Sequence, residues 1–288
     1  MPGATSTWIS RFWSGRERCA TTLAALYASI CVTERERRAR FIKSNDVETR
    51  MTAKTRAATQ AKASHPTEKK NGFCYDPQEA IVYLSAADSR LGKLIERAAP
   101  FNMQIRHLSN PFEALARNII YQQLHGKAAA AIHLRVLALF GKKRLAPQDI
   151  LQASEESLLG AGLSRAKLAA LKDLAAKTLD GTVPTLARLR RMPDEEIIER
   201  LTQVRGIGRW TVEMLLIFRL GRPDVLPVGD FAVRKGFSLV YGIKELPKPK
   251  ELIQYGERWR PFRSVASWYM WRATELPPET LQEIALDS

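Results

Sequence analysis

The chain has 288 residues, of which 45% are hydrophobic, 26% charged and 8% aromatic, enough for one or two domains with a full core. No run of about eighteen apolar residues occurs, which excludes a membrane-spanning helix, and the three cysteines (Cys19, Cys31 and Cys74) are too few and scattered for a disulfide framework or a metal site, suiting a reducing compartment. The 45 Lys and Arg outweigh 30 Asp and Glu by +15, which points to a polyanionic partner.

About half of that excess lies in residues 1–70, with 14 basic and 6 acidic residues. Residues 44–71 hold no large apolar side chain except Val47 and Met51, so they cannot bury enough surface to offset the entropy of ordering. We therefore expect residues 1–71 to form a basic, disordered extension. The apolar patch 19–32 behind Arg11, Arg16 and Arg18 invites a signal-peptide reading, but it lacks a small-x-small cleavage site and runs into the charged stretch Glu34–Arg40. Arg-rich, acid-poor sequence also fits an organellar presequence, and a start at Met51 would make residues 1–50 upstream sequence.

From residue 72 the pattern turns helical. Asp76-Pro77 pairs an N-cap with a proline in the first turn and opens a run through Ile81, Leu84 and Ala87. Asn110-Pro111 opens the next helix in the same way, with Leu115, Ile119 and Ile120 on its apolar side. Further helices are predicted over Lys127–Phe140, Ser154–Gly160, Ser164–Asp180, Pro193–Val204, Arg209–Leu220, Phe231–Tyr241 and Pro261–Thr274, from apolar spacings of three and four. Alternating strand patterns are absent, so residues 72–288 read as one all-α domain of many short helices.

The stretch Leu201–Val212 carries the most information. One helix ends near Val204, Gly206-Ile207-Gly208 makes a tight turn, and a second helix begins at once. Two glycines one residue apart permit unusual backbone angles and close approach of another backbone. The amides after the turn sit at a helix N-terminus, where unpaired N–H groups and the helix dipole favour a phosphate. Such a turn often only connects helices. Asp230, before the helix at Phe231, reads first as an ordinary N-cap.

In combination these features resemble the helix–hairpin–helix, Gly/Pro-Asp superfamily of DNA base-excision glycosylases, and within it the alkylbase (3-methyladenine) glycosylases of the second type. The resemblance covers about residues 72–280 and rests on three ordered blocks. They are Ile119-Ile120-Tyr121-Gln122-Gln123-Leu124; Gly206–Thr211 with Pro227-Val228-Gly229-Asp230, where Gly208 and Asp230 are 22 residues apart; and Trp259–Ser264 leading to Trp268 and Trp271. The resemblance implies a two-lobed bundle of short helices with a cleft between the lobes. It makes Asp230 the catalytic carboxylate, Leu124 the wedge that fills the gap left by an extruded nucleotide, and Gln123, Trp210, Met214 and Trp271 the base pocket. Gly206, Ile207, Gly208, Arg209 and Thr211 become the phosphate anchor. Main-chain carbonyls of Thr202, Val204 and Ile207 match those that hold a monovalent cation, Na or K, in the family; no other cofactor is implied.

The implied partner is double-stranded DNA containing alkylated bases, bound by a monomer with no membrane association. The expected place is the cytoplasm at a bacterial nucleoid, or the nucleus or an organelle of a eukaryote. Those roles agree with the chemistry. An enzyme that breaks a bond to a base in a duplex must unstack that base, which calls for a wedge and flat-faced walls. A cationic alkylpurine is attracted to a tryptophan face, and a carboxylate stabilises the positive sugar that forms as the bond breaks. Trp268, three residues before Trp271, is assigned instead to the core.

The chain also departs from some family patterns. The position of the strand-cleaving lysine is Trp210, so monofunctional hydrolysis is expected. No cysteine follows Cys74, so four cluster-ligating cysteines are missing. Residues 1–71 show no strands and cannot supply the β-rich domain of one well-known member. Met214 stands where some relatives have an aromatic, which leaves substrate breadth open. His65, His107, His125 and His133 show no metal spacing. A glycosylase for uncharged lesions and a non-catalytic DNA-binding hairpin module remain the alternatives on sequence.

Overall fold

A computed structural model divides the chain into Met1–Thr67 and Glu68–Ser288, and the structure describes residues 72–286. The expectations for residues 1–71 lie outside the described residues. Every regular element among the described residues is helical.

The helices follow the sequence signals closely where those are strong. Asp76 accepts the Gln78 N–H at 2.9 Å and caps α1 (Pro77–Ala87). Asn110 accepts the Phe112 N–H at 2.9 Å ahead of α3 (Pro111–Tyr121). His125 caps α4 (Gly126–Leu139), while Ser154 and Ser164 cap α6 (Glu155–Gly160) and α7 (Arg165–Leu179). The helix predicted to reach Val204 is α9 (Asp194–Leu201) and stops three residues earlier. Beyond Leu201 the chain tightens, with Gln203 N–H on the Arg200 carbonyl and Val204 N–H on the Leu201 carbonyl, so the α-helical ladder ends there. After the turn come α10 (Arg209–Phe218) and α11 (Phe231–Tyr241). The helix predicted over Pro261–Thr274 is α13 (Arg263–Ala273), preceded by a short 3₁₀ turn at Glu257–Trp259.

Five helices were not anticipated: α2 (Ser89–Arg97), α5 (Pro147–Gln152), α8 (Leu186–Leu189), α12 (Pro249–Gly256) and α14 (Pro278–Leu286). Three of them begin with proline, the same opening signal that marks α1 and α3. α2 follows α1 after a single residue, Asp88, whose carboxylate accepts the Leu91 N–H and restarts the helix. That carboxylate is buried and also accepts the Tyr241 hydroxyl at 2.7 Å and the Trp259 indole N–H at 2.9 Å.

Packing sorts the helices into two lobes. α3 packs on α4 and α7, and α7 on α5 and α6; α9 packs on α10. The other lobe unites both ends of the described chain: α2 contacts α1, α11, α13 and α14, and α11 lies along α13. The α11–α13 contact is close because Gly236 has no side chain; a Cβ there would lie 1.9 Å from the Met270 carbonyl oxygen. Trp268 is buried in this lobe, edge-on to Phe101 at 4.9 Å, as a core residue. Asp230 lies in the connection between α10, which packs on α9, and α11, which packs on α13.

Candidate active site

Asp230 is 9% exposed and caps α11 with a 2.9 Å bond from the Val233 N–H to Oδ1. Capping does not exhaust the carboxylate, which has two further donors. Trp210 Nε1–H, from the first turn of α10, reaches Oδ2 at 2.6 Å. Trp271 Nε1–H, from α13, reaches Oδ1 at 3.1 Å. Trp271 in turn stacks on Phe218 with centroids 5.5 Å apart and planes 26° apart. Three helices thus converge on one carboxylate and fix its plane. The two tryptophans expected as pocket walls also orient the aspartate through their indole edges. Trp210 remains 39% exposed, leaving part of its ring open beside Asp230; Met214, one turn along, is half-buried against the core.

The hairpin turn has a more selective construction than two interchangeable glycines. Gly206 has φ +79°, and its missing Cβ would meet the Ala170 side chain at 3.3 Å. Gly208 has φ −94° and ψ 167°, a conformation open to any residue, and a Cβ there would touch nothing within 4 Å. The Ile207 N–H is bound to the Val204 carbonyl and the Thr211 N–H to the Gly208 carbonyl, both at 3.0 Å. The amides that helix geometry leaves facing outward are those of Gly208 and Arg209. Gly206 shapes the turn, and Gly208 keeps its mouth clear.

This difference predicts separable outcomes. Gly208→Val should leave the melting temperature unchanged and weaken DNA binding about tenfold irrespective of sequence or lesion, the loss of a hydrogen bond to a charged group. Gly206→Val should weaken binding and also cost about 1–3 kcal/mol of stability through its left-handed backbone. Thermal melts alongside DNA titrations check both; loss for one lesion alone with Gly208→Val would contradict the phosphate role.

The segment carrying Gln123 and Leu124 joins α3 to α4 and is held in two places. Lys167 Nζ donates to the Ile120 carbonyl at 2.7 Å, and Gln122 Nε2 donates to the Gly206 carbonyl at 2.8 Å. Gln122 ties this segment to the hairpin turn, a contact the sequence reading did not anticipate. Gln123 is exposed and has φ +55°, a left-handed backbone that costs energy for a side chain other than glycine or asparagine. Leu124 beside it is half-exposed.

One further carboxylate went unnoticed. Glu213 on α10 is 3% exposed, accepts Arg209 Nε–H at 3.1 Å, and burial pushes its pKa up to about 7. The available signal was a lone acidic residue in the apolar run Val212–Phe218.

Among the described residues no cluster of His, Cys, Asp or Glu could hold a metal ion, and no helix is long and apolar enough to cross a membrane.

Residues 116–261 match the family described as HhH-GPD superfamily base excision DNA repair protein, a span that holds Gln123, Leu124, the Gly206–Gly208 turn and Asp230. The chain belongs to this superfamily. DNA-3-methyladenine glycosylase 1 of Schizosaccharomyces pombe is 36% identical over 217 residues, covering 74% of this chain and 94% of the relative. The solved structure of the 3-methyladenine DNA glycosylase of that yeast, in complex with abasic DNA, matches with a TM-score of 0.57 at 38% identity over 69% of this chain and 98% of its own. A DNA-3-methyladenine glycosidase from Bacillus halodurans gives 0.62 at 37% identity over 67% and 88%. As an HhH-GPD protein, the chain has its Gly/Pro-Asp loop at Pro227–Asp230 and its hairpin at Gly206–Gly208.

Proposed function

We propose that this protein is a monofunctional DNA glycosylase that releases alkylated purines, 3-methyladenine among them, from duplex DNA. The carrying observation is the buried Asp230 carboxylate, held by a backbone amide and two indoles, one of them from Trp210, two residues after the Gly206–Gly208 hairpin. Relatives named as 3-methyladenine glycosylases support the lesion class.

The geometry suits the chemistry. The Gly208 and Arg209 amides grip the backbone, and Leu124 enters the stack as a purine swings out beside Trp210. A purine alkylated at a ring nitrogen is cationic, so the N-glycosidic bond breaks with its electron pair moving to the base, which leaves neutral. Positive charge moves to C1′, where the Asp230 carboxylate stabilises it. Water then adds to C1′ and loses a proton. Among the described residues the donors to the Asp230 carboxylate are one backbone amide and two indoles, and Trp210 stands at the position of the strand-cleaving lysine, which supports hydrolysis without a Schiff base.

We infer a monovalent cation at the hairpin as well. Thr202, Val204 and Ile207 follow the C-terminus of α9, its negative end, and the Val204 carbonyl, which accepts the Ile207 N–H, keeps a second lone pair. Thr202, Val204 and Ile207 would hold the ion through main-chain oxygens, a donor set suited to Na or K; there it would neutralise the turn and add positive charge beside a bound phosphate. The protein would act wherever genomic DNA is kept, nucleoid or nucleus.

The test pairs two substrates. Methylated duplex should yield free base, whereas a duplex with an uncharged oxidised guanine should yield far less. Borohydride reduction during turnover should trap no protein–DNA adduct. Faster release of the uncharged base, or a specific trapped band, would overturn the reading.

A further inference from the structure

Glu213 is a buried carboxylate that the mechanism above does not use. It lies three residues after Trp210, on the same side of α10, and Trp210 is bonded to Asp230. Its charged surroundings are Arg209 on its own helix, Glu195 at the start of α9 and Asp230 at the cap of α11. Arg209 is shared: Nε–H donates to Glu213 at 3.1 Å and the Nη2–H group to Glu195 at 2.6 Å. One guanidinium thus serves two carboxylates, and the trio keeps a net charge of minus one when both are ionised. Side-chain exposure is 68% at Glu195 but 5% at Glu213, so water screens the first and not the second.

Burial of a carboxylate is costly even beside a partly exposed guanidinium, and needs a reason. A structural salt bridge to Arg209 would be equally well made at the surface, as Glu195 shows. Burial withholds Glu213 from solvent screening, so that its charge, once ionised above about pH 7 and offset in part by Arg209, acts one helical turn from Trp210.

We propose that Glu213 is a specificity-determining residue whose charge selects cationic occupants of the pocket over neutral ones of the same shape. The inference rests on the glycosylase reading and names its substrate class: bases that are already positively charged. The charge passes from base to sugar within one pocket as the bond breaks, so the same field favours the cation throughout. A neutral lesion separates charge in that step and gains far less. A fully ionised carboxylate about 10 Å away, at an effective dielectric of about 20, is worth at most roughly tenfold in affinity, an effect present only above about pH 7.

Two duplexes differing in one abasic-site analogue test this: a neutral tetrahydrofuran, and a pyrrolidine protonated at its nitrogen. Wild-type protein should prefer the pyrrolidine. Measured about a pH unit above 7, where Glu213 is mostly ionised, Glu213→Gln, which keeps an oxygen for Arg209, should shrink that preference several-fold, up to roughly tenfold, while tetrahydrofuran affinity changes less than about twofold. An unchanged preference, equal loss for both duplexes, or no preference in the wild type would overturn the proposal. Should Glu213→Gln not fold, the wild type decides: its preference should grow as pH rises through about 7, where Glu213 ionises, and a flat profile would refute it. A wild type that releases no alkylated base defeats the glycosylase reading, whereas unchanged selectivity in a protein that does release it defeats only this inference.

Discussion

Asp230→Asn should slow base release by about 10²-fold or more, because it removes the charge that faces the positive sugar. The substitution also disturbs the bonding around it in a definable way. The carboxylate accepts on both oxygens, from Val233 and Trp271 on one and from Trp210 on the other. An amide has one acceptor and one donor group, so either Trp210 or the Val233–Trp271 pair must face an N–H. The exposed Trp210 can turn to water, so Oδ1 contacts should persist and the fold should lose only about 1 kcal/mol. Binding to abasic DNA should stay within a few-fold, since the hairpin amides are untouched. Single-turnover kinetics with a binding titration separate the two effects, and base release within about tenfold of wild type would remove Asp230 from the catalytic role.

The largest effect on stability should come from Gly236→Ala, remote from the chemistry. A methyl at that position would lie 1.9 Å from the Met270 carbonyl oxygen and 2.7 Å from its carbon, both backbone atoms that no rotamer change can move. α11 and α13 must separate, at a cost of about 3 kcal/mol or more. For a folded unit of this size the melting temperature should fall by roughly 10 °C. Because α11 is capped by Asp230 and α13 carries Trp271, activity should fall with it. A melting shift of a degree or two would contradict the closeness of that helix pair.

Sequence showed the parts of this protein that are written locally. The hairpin was legible because a turn with two nearby glycines leaves a mark on consecutive residues, and α1 and α3 because an Asx cap followed by proline does the same. The role of Asp230 could be read only with the family blocks beside it; alone it is one more N-cap. Hidden from sequence were features made by distant residues meeting. The indole edges of Trp210 and Trp271 on one carboxylate join positions 20 and 41 residues away from it, and no spacing rule encodes that. Gln122 on the Gly206 carbonyl and the shared Arg209 guanidinium are of the same kind. The unequal work of Gly206 and Gly208 appears only when backbone angles are known. α2 was missed for a different reason: Asp88 both ends one helix and starts the next, so the apolar period shifts without a visible break.

The central claim is that this chain breaks the bond between an alkylated purine and its sugar using Asp230. The most direct measurement is chromatography of free bases released from methylated duplex DNA by the wild type and by Asp230→Asn. The expected result is a time-dependent yield of 3-methyladenine from the wild type, intact DNA strands, and little or no release by the variant. Tight DNA binding with no base released by either protein would contradict it.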